Sequence, residues 1–88
     1  MTISMLKDVK KIPIGSRLII VERFGQPYLE RLILKKHTTT GFIAAPHNNL
    51  NQEKAFRCDS KSFVPSEAGF SLKSPLGRMA VRFEVQPQ

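Results

Sequence analysis

The chain has 88 residues, of which 41% are hydrophobic and 24% are charged, and this composition excludes a wholly disordered chain. The length fits a single domain over residues 1–88. Lys and Arg number 14 against seven Asp and Glu, so the net charge is +7, which favours nucleic acid or an acidic protein surface as the partner.

The cellular location is predicted from the single cysteine and the N-terminal residues. Cys58 has no second cysteine for an internal disulfide, which is compatible with a reducing compartment. Residues 1–8 lack the basic start and the long apolar run of a signal peptide. The longest aliphatic run, residues 18–21, is too short to cross a bilayer. We therefore predict a cytoplasmic protein that binds no membrane.

The first part of the chain predicts a short helical turn followed by a β-hairpin. Ser4 is a candidate cap for the helical turn, which Pro13 prevents from continuing. Residues 17–24 predict the first strand, and residues 25–27 predict a turn. Residues 28–36 are ambiguous, because their apolar positions also fit helical spacing. We interpret them as the second strand, since a Gly and a Pro lie close to their start and no capping residue precedes them.

The second half of the chain predicts further strands at residues 41–45, 54–58, 70–73 and 78–85. Residues 47–53 are rich in amides and predict a surface loop. Residues 59–69 contain Pro65 and are interpreted as a connection that holds at most one helical turn. Five or six short strands predict a mostly β fold, a small antiparallel barrel of the SH3-like type, because closure removes exposed edges.

The last strand has the clearest alternation of apolar and polar residues. One face consists of Met79, Val81, Phe83 and Val85, and the other of Arg78, Ala80, Arg82 and Glu84. Alternation in this strand and in the others predicts a core of Leu18, Ile20, Phe56, Phe70, Leu72, Val81 and Phe83.

Residues that could form a catalytic or metal site are few and do not fall into a recognised pattern. His37, His47, Cys58 and Asp59 supply no closely spaced pair of metal ligands. The glycines occur singly, so the chain has no glycine-rich phosphate loop. We predict a protein that is not an enzyme and needs no cofactor or metal, with Cys58 as a packed thiol that is dispensable for function.

Basic residues cluster along the second strand and on the outer face of the last strand. Lys and Arg neutralise phosphates independently of sequence, and hydroxyl groups add hydrogen bonds. The predicted contact surface for nucleic acid or an acidic partner consists of Arg31, Lys35, Lys36, Thr38, Arg78 and Arg82. The competing interpretation is that these charges only solvate exposed strands and discourage edge pairing.

The aromatic residues indicate a limited surface for stacking bases. Proteins that bind single strands present exposed aromatic rings, whereas most of the phenylalanines here fall on predicted inward faces. Phe24 and Tyr28 flank the first turn and are the only candidates for an exposed aromatic pair. A packing contact across the turn explains them equally well.

Residues 12–16, 34–42 and 56–60 together resemble small β-barrel accessory proteins of bacteriophages. In these proteins a strand pair with the pattern lysine, lysine, x, threonine is followed by a short basic-aromatic strand. The resemblance covers roughly residues 12–62. It implies a binder without enzymatic activity in a bacterial host cytoplasm, which inhibits a host factor of defence or nucleic-acid processing. It assigns no site residue.

Two functions from different classes therefore stay open. One is a barrel that binds nucleic acid through its Lys and Arg face. The other is an inhibitor that docks on an acidic host protein, or that extends a partner's sheet through an exposed edge. A third possibility is the capture of a small phosphorylated ligand between subunits. An exposed strand edge would also allow the protein to form oligomers.

Overall fold

The computed structural model describes residues 3–74 and 76–86. Its elements are α1 (Leu6–Val9), β1 (Arg17–Arg23), β2 (Gln26–His37), β3 (Gly41–Pro46), β4 (Lys54–Arg57), β5 (Phe63–Ser66), β6 (Gly69–Lys73) and β7 (Met79–Gln86). The strands pair antiparallel in one sheet, in the order β4-β3-β2-β1-β7-β6-β5. The predictions of a mostly β fold and of one short N-terminal helical turn are confirmed.

The sheet contains seven strands, so the prediction of five or six is wrong. The additional strand is β5, which falls inside the predicted connection at residues 59–69. Pro65 argued against a strand there, but β5 lies at the edge of the sheet, where a missing N–H need not remove a ladder hydrogen bond. The sheet curls into a half-barrel, and no ladder joins β4 to β5 in the described ranges.

Residues 28–36 form part of a strand, as predicted. Ile33 is paired with Arg17 on one side and with Ala45 on the other, so β2 is held between β1 and β3. The hairpin turn lies one residue earlier than predicted, because Arg23 pairs directly with Gln26. The two residues between them both have positive φ, as a tight hairpin turn of the I′ type requires.

The core lies on the inner face of the curled sheet and is built around phenylalanine rings. Phe83 is fully buried, and its ring centre lies 5.0 Å from that of Phe70, 5.3 Å from that of Phe56 and 5.7 Å from that of Phe42. The predicted core is confirmed: five of its residues are buried and the other two, Phe56 and Val81, are partly buried against it. Val85 also packs on this face, while the side chain of Met79 lies outside the described part of the structure.

The N-terminal segment packs at one end of the half-barrel and is fixed to the β2–β3 turn. Its buried residues are Ile3, Val9 and Ile12. Lys10 Nζ donates hydrogen bonds to the carbonyl oxygens of Thr38 and, at 3.2 Å, of Gly41. His37 Nε2 donates to the Ile12 carbonyl at 2.9 Å, so this imidazole carries its hydrogen on Nε2.

The short helix is held by a carboxylate rather than by the predicted serine cap. Met5 occupies the N-cap position, and Ser4 precedes it. Asp8 Oδ2 accepts hydrogen bonds from the backbone N–H of Ser4 at 3.1 Å and of Met5 at 3.0 Å. These bonds favour the ionised carboxyl and hold the pKa of Asp8 below its usual value.

The two edge strands follow each other in the chain and are joined by residues 58–62. Asp59 organises this connection, because its Oδ1 accepts from the backbone N–H groups of Lys61 and Ser62, each at 3.0 Å. The hydrogen bond from Arg57, at 2.6 Å, is the main reason that the pKa of Asp59 falls to about 2. The contacts of the ionised carboxylate are therefore complete above its usual pKa and are lost as the pH falls through about 2.

Both edge strands carry features that oppose pairing with another sheet. Each has four residues, and β4 begins with Lys54 and ends with Arg57, while β5 contains Pro65. Short length, charge and proline are common protections of exposed edges. No helix within residues 3–74 and 76–86 is long and apolar enough to span a bilayer.

Candidate functional site

Two arginines lie on the outer face of the sheet, on its central pair of strands. Leu18 and Leu32 are buried on the inner face, so the residues that alternate with them point outward. Arg17 of β1 is paired with Ile33 of β2, and one step along the same face Ile19 is paired with Arg31. Each arginine therefore stands beside an isoleucine of the neighbouring strand.

The loop between β3 and β4 folds back over this face. Lys35 Nζ donates to the Leu50 carbonyl at 3.1 Å and forms an ion pair with Glu53 at 3.3 Å. The backbone N–H of His47 donates to the Arg31 carbonyl at 3.2 Å. Ala45 is fully buried although its register places it on the outer face, beside Ile33, as expected beneath a covering segment.

The loop and the sheet enclose a cleft of about 560 Å³, which we call the outer-face cleft. Its lining residues are Arg17, Ile19, Arg31, Leu32, Ile33, His47, Leu50 and Gln86. Leu32 has a fully buried side chain, so it contributes backbone. The cleft thus has an isoleucine floor with two exposed guanidinium groups, a combination suited to an anion that carries an apolar or aromatic part.

The positive charge of the outer-face cleft is not neutralised by ion pairs within the described ranges. Across the described part of the chain, the basic side chains that form ion pairs are Lys11, Lys35, Lys54 and Arg57. Arg17 and Arg31 are not among them. Glu84 is the acidic residue that the register places beside Ile19 on this face, and it is half-buried. The donors of both guanidinium groups therefore remain available to a ligand.

The six predicted contact residues do not form one patch. Arg31 lines the outer-face cleft, and Arg82 lies on the same outer face nearer the β1–β2 turn, paired with Glu22 and Ser71. Lys36 is exposed and paired with Ile43, toward the opposite end of the sheet.

The other three predicted residues have different positions or roles. Lys35 fixes the β3–β4 loop by the contacts above. Thr38 is half-buried in the β2–β3 turn, where its carbonyl accepts from Lys10. Arg78 lies in the turn before β7 rather than on its outer face as expected, because β7 begins at Met79. It is therefore at the end of the sheet opposite Thr38.

Phe24 and Tyr28, the two candidates for an exposed aromatic pair at the first turn, are both exposed. Phe24 is 65% exposed and Tyr28 is 38% exposed. The guanidinium carbon of Arg23 lies 5.8 Å from the centre of the Phe24 ring and 5.4 Å from that of Tyr28. These distances allow cation–π attraction to both rings. We call these three residues the hairpin-tip cluster.

Of the residues that line the outer-face cleft, only Arg31 was predicted as a contact residue, and the guanidinium of Arg17 and the imidazole of His47 were missed. Alternation within β1 would have placed Arg17 on the outer face, because Leu18 and Ile20 occupy the inner one. His47 carried no such signal, since its position depends on how the β3–β4 loop folds. Within the described residues, no group of three His, Cys, Asp or Glu is arranged to hold a metal ion.

Cys58 is expected to be unreactive in the folded protein at pH 8 and to react once the chain is unfolded. Its side chain is buried, and this burial raises the pKa of the thiol from 9.0 to about 11, against the opposing charge of Lys10. The thiolate, which is the reactive form, is therefore scarce in the native state. The measurement is the rate of reaction with a chromogenic disulfide reagent, with and without guanidinium chloride.

The raised pKa of Cys58 also predicts how the free energy of unfolding changes with pH. The unfolded chain loses the thiol proton first, so the free energy of unfolding falls as the pH rises from about 9 through about 11. The Cys58→Ala variant lacks this contribution and is expected to keep its function. A native thiol that reacts as fast as the unfolded one contradicts the assignment.

In comparisons with known proteins, no family model, curated protein or solved structure matches the chain. The resemblance to bacteriophage accessory proteins therefore stays a prediction.

Proposed function

We propose that the protein binds nucleic acid through the outer face of its sheet. The observation that supports this most directly is the pair Arg17 and Arg31, which line one cleft without an acidic partner in the described ranges. A guanidinium group presents a planar set of N–H donors that matches two phosphate oxygens at once. The isoleucine floor offers apolar contact to a sugar or a base.

Two further cations extend this surface on either side of the cleft. Arg82 lies on the outer face near the β1–β2 turn, and Lys36 is exposed toward the other end of β2. Together with the two arginines of the cleft they provide four positive charges on one side of the sheet. Contacts of this kind bind the phosphate backbone and read no sequence.

The test is a salt titration of binding to labelled 20-nucleotide single strands and 20-base-pair duplexes, followed by fluorescence anisotropy. Four phosphate contacts predict a slope of about −3 for the logarithm of the association constant against the logarithm of the salt concentration. Affinity is then expected to fall about 60-fold between 50 and 200 mM salt. Absence of binding to every nucleic acid at 50 mM salt would sink the proposal.

A second candidate function is capture of a small phosphorylated ligand. It is favoured by the volume of the outer-face cleft, about 560 Å³, which lies within the range of ordinary ligand pockets. Calorimetric titration with a nucleoside monophosphate distinguishes the two functions. Saturable one-to-one binding, with no affinity for oligonucleotides beyond that of the monomer, supports capture of the small ligand.

The inhibitor function implied by the bacteriophage resemblance is the remaining alternative. The short, charged or proline-containing edges of β4 and β5 oppose extension of a partner's sheet, so docking of an acidic host surface on the outer face is the form that we retain. In that case free DNA and RNA bind weakly or not at all. With this proposal we also predict that the sheet belongs to the SH3-like barrel type, that the protein has no enzymatic activity and that it acts in a bacterial cytoplasm.

A further inference from the structure

We infer that the hairpin-tip cluster of Arg23, Phe24 and Tyr28 stacks bases, and hence that the nucleic acid bound by this protein is single-stranded. The inference rests on the proposed function. It adds a second contact site, at the end of β1, and it names the class of nucleic acid. Its support comes from the backbone of Phe24, from the ring contacts of Arg23 and from the charges that surround the turn.

The hairpin turn holds Phe24 in a backbone conformation that is unfavourable for a bulky side chain. Phe24 has a φ of 51° and Gly25 a φ of 79°, so both central residues of the turn are left-handed. In such turns Asn or Asp is preferred at the first position and Gly at the second. Gly25 follows this preference and Phe24 does not, since a side chain of its size crowds the backbone in this region.

The packing of the fold does not account for Phe24 either. The side chain is 65% exposed, and it is not part of the core cluster. The other residue of the described chain with positive φ that is not glycine is Ala68, which is small. An exposed aromatic ring at a disfavoured backbone position is therefore better explained by a contact outside the molecule.

The ring contacts of Arg23 give the turn a surface that matches nucleobases. The guanidinium carbon lies 5.8 Å from the centre of the Phe24 ring and 5.4 Å from that of Tyr28, so the three groups form one cluster. Bases stack on aromatic rings and on guanidinium planes, with little preference for sequence. In a duplex the faces of the bases are already stacked on one another, so only a single strand can present them to this turn.

The charges beside the turn suit a phosphate backbone. The backbone N–H of Phe24 donates to the Ala80 carbonyl at 2.8 Å, which holds the turn against the start of β7. Arg78 is exposed and directly precedes β7. Lys73 of β6 is paired with Met79 of β7, in the hairpin that these two strands form. Glu22 is the one acidic side chain that the register places near them in the described structure. This excess of positive charge suits phosphates, and the neighbouring rings and guanidinium plane suit bases, which an acidic protein surface does not offer.

The experiment compares the Phe24→Asn variant with the wild type. Asn removes the ring and is the residue that the turn prefers, so the melting temperature is expected to be unchanged or higher. Affinity for a labelled 20-nucleotide oligothymidine is expected to fall about tenfold, the loss typical of one stacked base. Affinity for a duplex should change less than twofold, and the salt slope should not change because no charge is removed.

Two controls separate stacking from general loss of apolar surface. Leu76→Asn removes another exposed apolar side chain, 86% exposed in the neighbouring turn, and should leave both affinities unchanged. Phe24→Trp keeps a stacking ring and should retain or increase the affinity for oligothymidine. If Phe24→Asn alters the fold, the comparison of the tryptophan variant with the wild type still tests the inference.

Tyr28 supplies a direct optical measurement of the cluster. The chain has one tyrosine and no tryptophan, so its tyrosine emission reports on Tyr28 alone. Oligothymidine is expected to quench this emission at saturation, and a duplex is not. Saturation with no change in emission, or equal losses of single-strand and duplex affinity in Phe24→Asn, overturns the inference while leaving the proposed function in place. Lack of any nucleic-acid binding by the wild type overturns both.

Discussion

Replacing Phe83 by alanine is expected to lower the free energy of unfolding by about 3–5 kcal/mol. Phe83 is fully buried, and three other phenylalanine rings lie with their centres between 5.0 and 5.7 Å from its own. Truncation therefore leaves a cavity that the surrounding rings cannot fill without leaving their own positions. Domains of this size have a free energy of unfolding of only about 5–15 kcal/mol, so this loss is a large part of the total stability.

The measurement is urea unfolding followed by circular dichroism, with the Leu76→Ala variant as the matched control. Leu76 is also a large apolar residue, but it is almost fully exposed, so its truncation is expected to change stability by less than about 0.5 kcal/mol. An unfolding midpoint that is the same in Phe83→Ala and the wild type would contradict the assignment of Phe83 to the centre of the core.

Replacing Arg17 and Arg31 together by alanine is expected to weaken nucleic-acid binding about tenfold at physiological salt. Each guanidinium group accounts for one phosphate contact in the outer-face cleft, so the salt slope is expected to become shallower by about 1.5. The loss should be similar for all sequences, because phosphate contacts do not distinguish bases. Anisotropy titrations at several salt concentrations measure both quantities.

The control for this experiment removes the same amount of charge elsewhere. Lys7 of α1 and Lys61 of the β4–β5 connection are exposed and belong to neither the outer-face cleft nor the hairpin-tip cluster. The Lys7→Ala/Lys61→Ala double variant has the same net charge as the arginine variant and should retain most of the affinity. If both double variants lose affinity equally, the net charge of the protein explains binding and the cleft does not.

Alternation along the chain predicted the parts of the fold in which each strand has one buried face. Leu18, Ile20, Leu72 and Phe83 are buried because strand geometry sends every second side chain to the same side. The ambiguous residues 28–36 were also interpreted correctly, since the turn before them leaves no room for a helix start. The missed strand β5 carries Pro65, which is a poor strand residue except at an edge, and edge position is a property of the whole sheet.

The candidate site was less accessible to prediction because it depends on which strands become neighbours. Arg17 and Arg31 are far apart in the chain and meet on one face only through the register between β1 and β2. The cleft between them also needs the β3–β4 loop, which the contacts of Lys35 fold back over the sheet. No periodic pattern carries that information. The sequence marked the first turn but left the exposure of Phe24 and Tyr28 open, because residues near a turn can also pack across it. The structure shows both side chains exposed, with Phe24 at the first central position of the turn.

The strand order has a consequence for how the protein is made. The pairing of β1 with β7 joins the two halves of the sheet, and β7 is the last of the strands to leave the ribosome. Until then β1 carries an open edge at what will become the middle of the sheet, and the phenylalanines of the core lack Phe83. A chain in which β7 has not yet paired therefore presents an open strand edge and an incomplete apolar core, and both favour aggregation with other chains.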